Sequence, residues 1–298
     1  MSGAAATVAG LLHDATARLS DALGLERREA RIEARALAVH AWGVETAWLI
    51  AHDTDRPSPA QAATFHALLE QRLAGRPVAY LTGIREFYGR AFAVGPDVLI
   101  PRPETELLVD EALGHLPPGR PLRVLDLGTG SGCVAVTLAL ERPQAIVTAV
   151  DRSPAALALA RRNADALRAP VRFLLSDWFD AVAGERFDLI VGNPPYIAAA
   201  DPHLGRGDVR FEPLAALASG DDGFADLRRI IRDAPAHLAA GGWLWLEHGF
   251  EQADGARRLL QEAGFHEVDT RADAAGLPRI SGGRVSENFT DGRPCPKL

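Results

Sequence analysis

The stretch RVLDLGTGSGCVAV, residues 123–136, decides how this chain folds. It opens with a short, mostly apolar run, passes through glycines at 128, 130 and 132, and continues from Cys133 as an apolar helical pattern. Glycines placed between a strand and a helix let the backbone turn sharply and approach a ligand closely. In an open α/β sheet that position is the carboxyl edge of the strands, where ligands bind.

Outward from this stretch, short apolar segments at 122–127, 146–150, 171–175, 187–191 and 243–247 alternate with helical patterns, the first of them at 105–115. The alternation predicts βαβ units: a Rossmann-like α/β fold, its mostly parallel sheet covered by helices on both faces. Pro235 interrupts the helical pattern over 225–240, so a kink or break is expected there. Toward the N-terminus, Val8, Leu11, Leu12, Ala15, Leu19 and Leu23 share one helical face that stops at Gly24. Similar patterns cover 29–40 and 60–73, the latter opened by Ser58 as N-cap with Pro59 at the first helical position, and closed by Gly75. Residues 1–75 therefore read as a small helical domain for substrate recognition and 76–100 as a β-hairpin linker. In that linker Gly95-Pro96-Asp97 would turn between two short strands, and 101–298 would be the catalytic domain.

Composition narrows the function. With 47% hydrophobic and 24% charged residues and a net charge of -7, the chain has a globular profile and does not advertise extended contact with nucleic-acid phosphates. Cys133 and Cys295 are too few for a disulfide framework or a zinc site, which predicts a reducing, cytoplasmic setting and no metal. No run approaches the ~18 apolar residues of a membrane span. The first residues lack the basic segment of a secretory signal, so the glycosylation acceptor pattern at Asn288 is expected to be idle.

Chemistry enters with Asp151, which closes the second strand segment, IVTAVD, where an acid can accept both hydroxyls of a ribose. The loop and the acid together indicate a nucleoside cofactor. A dinucleotide fingerprint starting at Gly128 would need glycine or alanine at 133, and that residue is Cys133. Read from Asp126 as D-x-G-x-G-x-G, the segment instead matches class I S-adenosylmethionine-dependent methyltransferases. Gly128, Thr129, Gly130, Ser131, Gly132 and Asp151 are thereby the expected cofactor residues. Asp177 and Trp178, in LLSDWF, are suited to hold an adenine amino group and cover its face; the plainer alternative is a helix cap and a core residue.

The fourth strand segment delivers Asn193-Pro194-Pro195-Tyr196 to the same sheet edge. Two prolines remove two backbone donors and leave carbonyls, so this stiff tetrapeptide offers acceptors, a carboxamide and a ring. If Asn193 and the Pro194 carbonyl each accept one N–H of a planar amide or aromatic amine, its nitrogen is held beside the cofactor; Pro195 fixes the loop and Tyr196 packs on the substrate. Asn193 would also touch the cofactor.

IPRPETELLV, VLDLGTGSGCVAV, AVDRSPAALALARRNA, SDWF, FDLIVGNPPYI, EPLAALASGDDG and LWLEHGFEQ, in that order, together resemble the bacterial release-factor glutamine methyltransferases, the HemK or PrmC family. The resemblance implies N5-methylation of the glutamine in the Gly-Gly-Gln motif of class I release factors; a monomer with no direct nucleic-acid binding is expected. Two rivals share the tetrapeptide: ribosomal-protein glutamine methyltransferases, and adenine-N6 methyltransferases, which must flip a base. The family also places Arg102 and Glu104 near the cofactor, while capping of the following helix is an equal alternative. Glu247 and His248 invite an acid/base reading, against which stands a hydrogen-bonded histidine at a sheet edge.

Overall fold

The computed structural model describes residues 6–287, so the pattern at Asn288 and Cys295 lie outside the described residues. The chain forms two compact units: Met1–Ile84 with Arg206–Phe211, and Arg85–Gly205 with Glu212–Leu298.

The first unit holds α1 (Val8–Leu23), α2 (Arg27–Trp42), α3 (Thr46–Ala51), α4 (Pro59–Leu73) and α5 (Val78–Thr82). Gly24 ends α1 at φ 67, the left-handed cap that favours glycine. Ser58 and Gln61 exchange side-chain and backbone hydrogen bonds at the start of α4, a capping box with Pro59 in the first turn. Val8, Ala15 and Leu19 from α1 pack with Ala30, Ala34 and Leu37 from α2 and with Phe65 and Leu69 from α4 in one core. Arg72 is buried, bonds both Glu33 oxygens at 2.7 and 2.9 Å, and reaches Asp208 Oδ1 at 2.6 Å. These bonds explain why a six-residue piece from mid-chain belongs to the helical unit.

The hairpin differs from its expected form. Strands β1 (Ile84–Phe87) and β2 (Arg90–Ala93) are joined by Tyr88 and Gly89, both left-handed at φ 52 and 68, whereas Gly95-Pro96-Asp97 turns only after the second strand. Two positive φ values in a two-residue loop match the twist of the paired strands. Tyr88 tolerates the conformation because Glu106 accepts its N–H at 2.7 Å and Asp110 its hydroxyl at 2.8 Å. Nor is the hairpin a free linker: Phe87 and Phe92 lie in the core of the second unit, and Asn163 bonds both backbone groups of Ala93.

The second unit continues through α6 (Glu106–His115), β3 (Arg123–Leu127), α7 (Cys133–Glu141), β4 (Ile146–Asp151), α8 (Pro154–Leu167), β5 (Val171–Leu175), β6 (Phe187–Gly192), α9 (Ala225–Asp233), β7 (Leu238–Glu247), α10 (Ala253–Glu262), β8 (His266–Ala272) and β9 (Pro278–Arg284). The seven-stranded sheet runs β5-β4-β3-β6-β7-β9-β8. It is parallel from β5 to β7, and β9 is antiparallel to both of its neighbours. Alternate residues of β3 feed opposite faces: Val124 joins the core with α6 and α7, while Leu125 and Leu127 join the core with α9 and α10. A strand buried on both faces needs apolar residues on both, hence its unalternating run.

Pro235 breaks the helix as expected: α9 ends at Asp233, a 3-10 turn spans Ala234–His237, and β7 has begun by Leu238. Residues 238–240 are thus strand, not helix. The helical reading missed Gly242, where a Cβ would lie 3.1 Å from the Phe187 carbonyl; its absence allows β7 to start early beside β6, across a register shift. Among the described residues no helix is long and apolar enough to cross a membrane.

Candidate active site

The chain builds the sheet outward from β3 through β4 to β5, then returns to place β6 on the other side of β3. The crevice at the carboxyl ends of β3 and β6 is therefore a topological switch point. A cleft opens there, lined by Gly128, Thr129, Gly130 and Ser131 after β3, Asp151 at the end of β4, Asp177 and Trp178 after β5, and Asn193 and Pro195 after β6. Gly132, Pro194 and Tyr196 do not line it.

The glycine loop is braced from below. Buried Asp126 accepts a hydrogen bond from the Thr129 hydroxyl at 2.6 Å and another from the Ala135 N–H, while burial pushes its carboxyl up to about 7. Gly128 and Thr129 donate their N–H groups to the Val150 carbonyl, each at 2.9 Å. At Gly128, φ 70, a Cβ would lie 3.3 Å from the Trp178 ring; at Gly130, φ 54, it would meet open space. The third glycine does other work: Gly132 takes φ 82 with Ala160 of α8 so close that a Cβ would lie 3.1 Å from that methyl. The structure thus gives Gly132 a packing reason to be glycine.

Asp151 accepts from Gly130 N at 2.9 Å and from Ser153 N at 2.8 Å, one bond to each oxygen. Each oxygen keeps a lone pair for a further donor, as two ribose hydroxyls require. Trp178 is both wall and core: it packs with Leu125 and Val150, and its indole N–H points to Asp226 at 3.3 Å. Asp177 pairs with Arg229 at 2.7 Å, in reach of solvent. An open glycine cradle, an acid with spare acceptors and an indole face fit S-adenosylmethionine.

Asn193 donates its Nδ2 to Thr105 Oγ1 at 3.2 Å, which directs the carboxamide oxygen elsewhere. For Tyr196, outside that lining, burial first, and Glu247 next, push the phenol above its ordinary range, so it stays neutral. Arg102 lines the cleft and pairs with buried Glu212, which also accepts from Ile100 N at 3.0 Å. This pair ties IPRP to EPLA. Neither Arg102 nor Glu104 caps α6, whose N-terminus has no side-chain cap. His248 is the hydrogen-bonded histidine of the plainer reading, held at 2.9 Å by the Gly249 carbonyl and at 2.8 Å by Ser281. Burial pushes the Cys133 thiol up to about 12, so it is no nucleophile at neutral pH.

Thr105, Glu212 and Asp226 escaped the reading of the sequence. Thr105 and Glu212 stand inside IPRPETELLV and EPLAALASGDDG, but the partners of the three residues lie 88, 110 and 48 positions away, so no local spacing reveals the pairings.

Such a cleft at this edge of such a sheet defines a class I S-adenosylmethionine-dependent methyltransferase. Residues 104–205 match the methyltransferase small domain and 10–83 the PrmC N-terminal domain. A methyltransferase structure from Pyrococcus furiosus shares the fold, at 18% identity and a TM-score of 0.51 over 73% of this chain and 97% of that one. The release factor glutamine methyltransferase of Bordetella pertussis is 57% identical over 254 residues, 85% of this chain and 94% of that protein. Its Escherichia coli counterpart is 46% identical over 255 residues, again 85% of this chain, and 92% of that protein. The chain belongs to this family, the HemK/PrmC release factor glutamine methyltransferases.

Proposed function

We propose that the chain transfers the methyl group of S-adenosylmethionine to the side-chain nitrogen, N5, of the glutamine in the Gly-Gly-Gln motif of class I release factors. The observation that carries the proposal is the Asn193 carboxamide at the cofactor cleft, its nitrogen already engaged by Thr105 and its oxygen left to accept. The helical unit serves recognition, a reading supported by its match to the PrmC N-terminal domain. The net charge of -7 favours a protein partner over nucleic acid, and the chain acts as a cytoplasmic monomer.

When bound, S-adenosylmethionine supplies an electrophilic methyl on a sulfonium. The glycine loop and Asp151 hold its aminoacyl and ribose parts, with Asp177 and Trp178 at the adenine. An amide nitrogen is a poor nucleophile because its lone pair is delocalised into the carbonyl, the resonance behind the ~18–20 kcal/mol barrier to peptide rotation. Asn193 Oδ1 and the Pro194 carbonyl each accept one amide N–H and so fix where the nitrogen's electron density points. Orientation of this kind contributes at most about 7–11 kcal/mol. Pro195 stiffens the loop and Tyr196 closes the site behind the planar group. No strong base is needed, because methyl transfer leaves the nitrogen as an N-protonated amide cation, which is very acidic and gives up its extra proton to water.

Methyl-labelled cofactor offered with a class I release factor, a ribosomal-protein mixture and duplex DNA in parallel tests the reading. Label should appear on the release factor and vanish when its motif glutamine is replaced by alanine. Preferential labelling of ribosomal protein or DNA would overturn it.

A further inference from the structure

Glu247 ends β7, next to the β6 strand that carries Asn193, and is 2% exposed. The polar neutral groups that face its carboxyl are the Thr105 hydroxyl and the Asn193 carboxamide, and its Oε2 has no hydrogen-bond partner. Arg279 and Glu104 act on it only through their charges, in opposite senses. Burying a carboxylate without a bonded cation is costly, and a fold keeps such a group only where its neighbours gain from it.

The gain is legible at Asn193. A carboxamide can turn end for end about its last torsion with little change of shape, exchanging an acceptor for two donors. Turned the wrong way, Asn193 would present N–H groups to the N–H groups of the substrate amide. Thr105 Oγ1 accepts from Asn193 Nδ2 at 3.2 Å, and the carboxyl of Glu247 draws on both side chains. Both neighbours thus want the nitrogen end. We propose that Glu247, acting with Thr105, is a positioning residue that locks the Asn193 carboxamide with its oxygen toward the substrate. The inference rests on the clamp reading of Asn193 and adds to it the groups that set the clamp's polarity.

Single-turnover methylation of release factor, with cofactor affinity measured alongside, separates the two claims. Thr105→Val keeps shape and removes the acceptor; Glu247→Leu removes the carboxyl; each should lower kcat roughly ten- to a hundredfold, the scale of a misplaced reacting group. KM for release factor and affinity for S-adenosylmethionine should stay near wild type. The double variant should lose no more than the worse single one, because both act through the same orientation of Asn193. Glu247→Gln, which keeps an acceptor oxygen, should recover most of the rate. Wild-type kcat in Thr105→Val overturns the proposal even if Glu247→Leu fails to fold, and so does a Glu247→Gln variant as slow as Glu247→Leu. An inactive Asn193→Ala beside a fully active Thr105→Val would leave the clamp standing without this lock; an active Asn193→Ala would remove the clamp itself.

Discussion

At the scale of single residues, the proposed cofactor side of the cleft turns on Asp151. Two backbone N–H groups hold its carboxylate in place, so the side chain does not have to be ordered when a ribose arrives. A charge-assisted hydrogen bond of this type is worth about 1.5–3 kcal/mol. Asp151→Ala should therefore weaken S-adenosylmethionine binding about ten- to a hundredfold by calorimetry, with NAD binding poorly to either form; undiminished affinity would remove Asp151 from the site. Residues that carry their signal in a motif were readable: Asp126 opens the D-x-G-x-G-x-G pattern, and Asp151 and Asn193 stand at the ends of strand segments. Thr105 was not, because its meaning lies in Asn193, 88 positions away. The packing of Gly132 against Ala160 was not readable for a related reason: Ala160 is distant in sequence, and a glycine needed for packing looks the same as one needed for a ligand.

At the scale of elements, β3 and β7 each carry a buried carboxyl, Asp126 and Glu247, that burial pushes up to about 7. In the unfolded chain both titrate nearer their ordinary values of 3.8 and 4.5. Between those values and about 7 the folded chain binds more protons, so stability falls as pH rises through that window and levels off above it. For Glu247 the full effect is on the order of 3 kcal/mol. Thermal melting at pH 5 and pH 8 should show wild type losing more stability over this interval than Glu247→Gln; equal losses would show that Glu247 is not held neutral by the fold. Element types followed from periodicity, as in α1, α4 and the parallel strands. The hairpin turn did not, because Tyr88 enters a left-handed conformation only with Glu106 and Asp110 there to bond it. The early start of β7 escaped too, since it depends on β6 lying against a glycine.

At the scale of the whole molecule, two compact units share one chain, and the stretch between the NPPY tetrapeptide and EPLA contributes Arg206–Phe211 to the helical one. Sequence pattern separated a helical from an α/β half, yet could not assign that short stretch, which the buried Arg72 claims through Asp208. The proposed chemistry turns on Asn193 holding the substrate amide by accepting one of its N–H groups. Its most direct test is single-turnover methylation of a class I release factor at saturating S-adenosylmethionine, with the modified residue located by mass mapping, for wild type, Asn193→Asp and Asn193→Ala. The expected result is one methyl on the motif glutamine with wild type, slow but measurable transfer with the aspartate, which keeps an acceptor, and a loss on the order of 10²–10³ or more with the alanine. Transfer to that glutamine at the wild-type rate by Asn193→Ala would contradict the account.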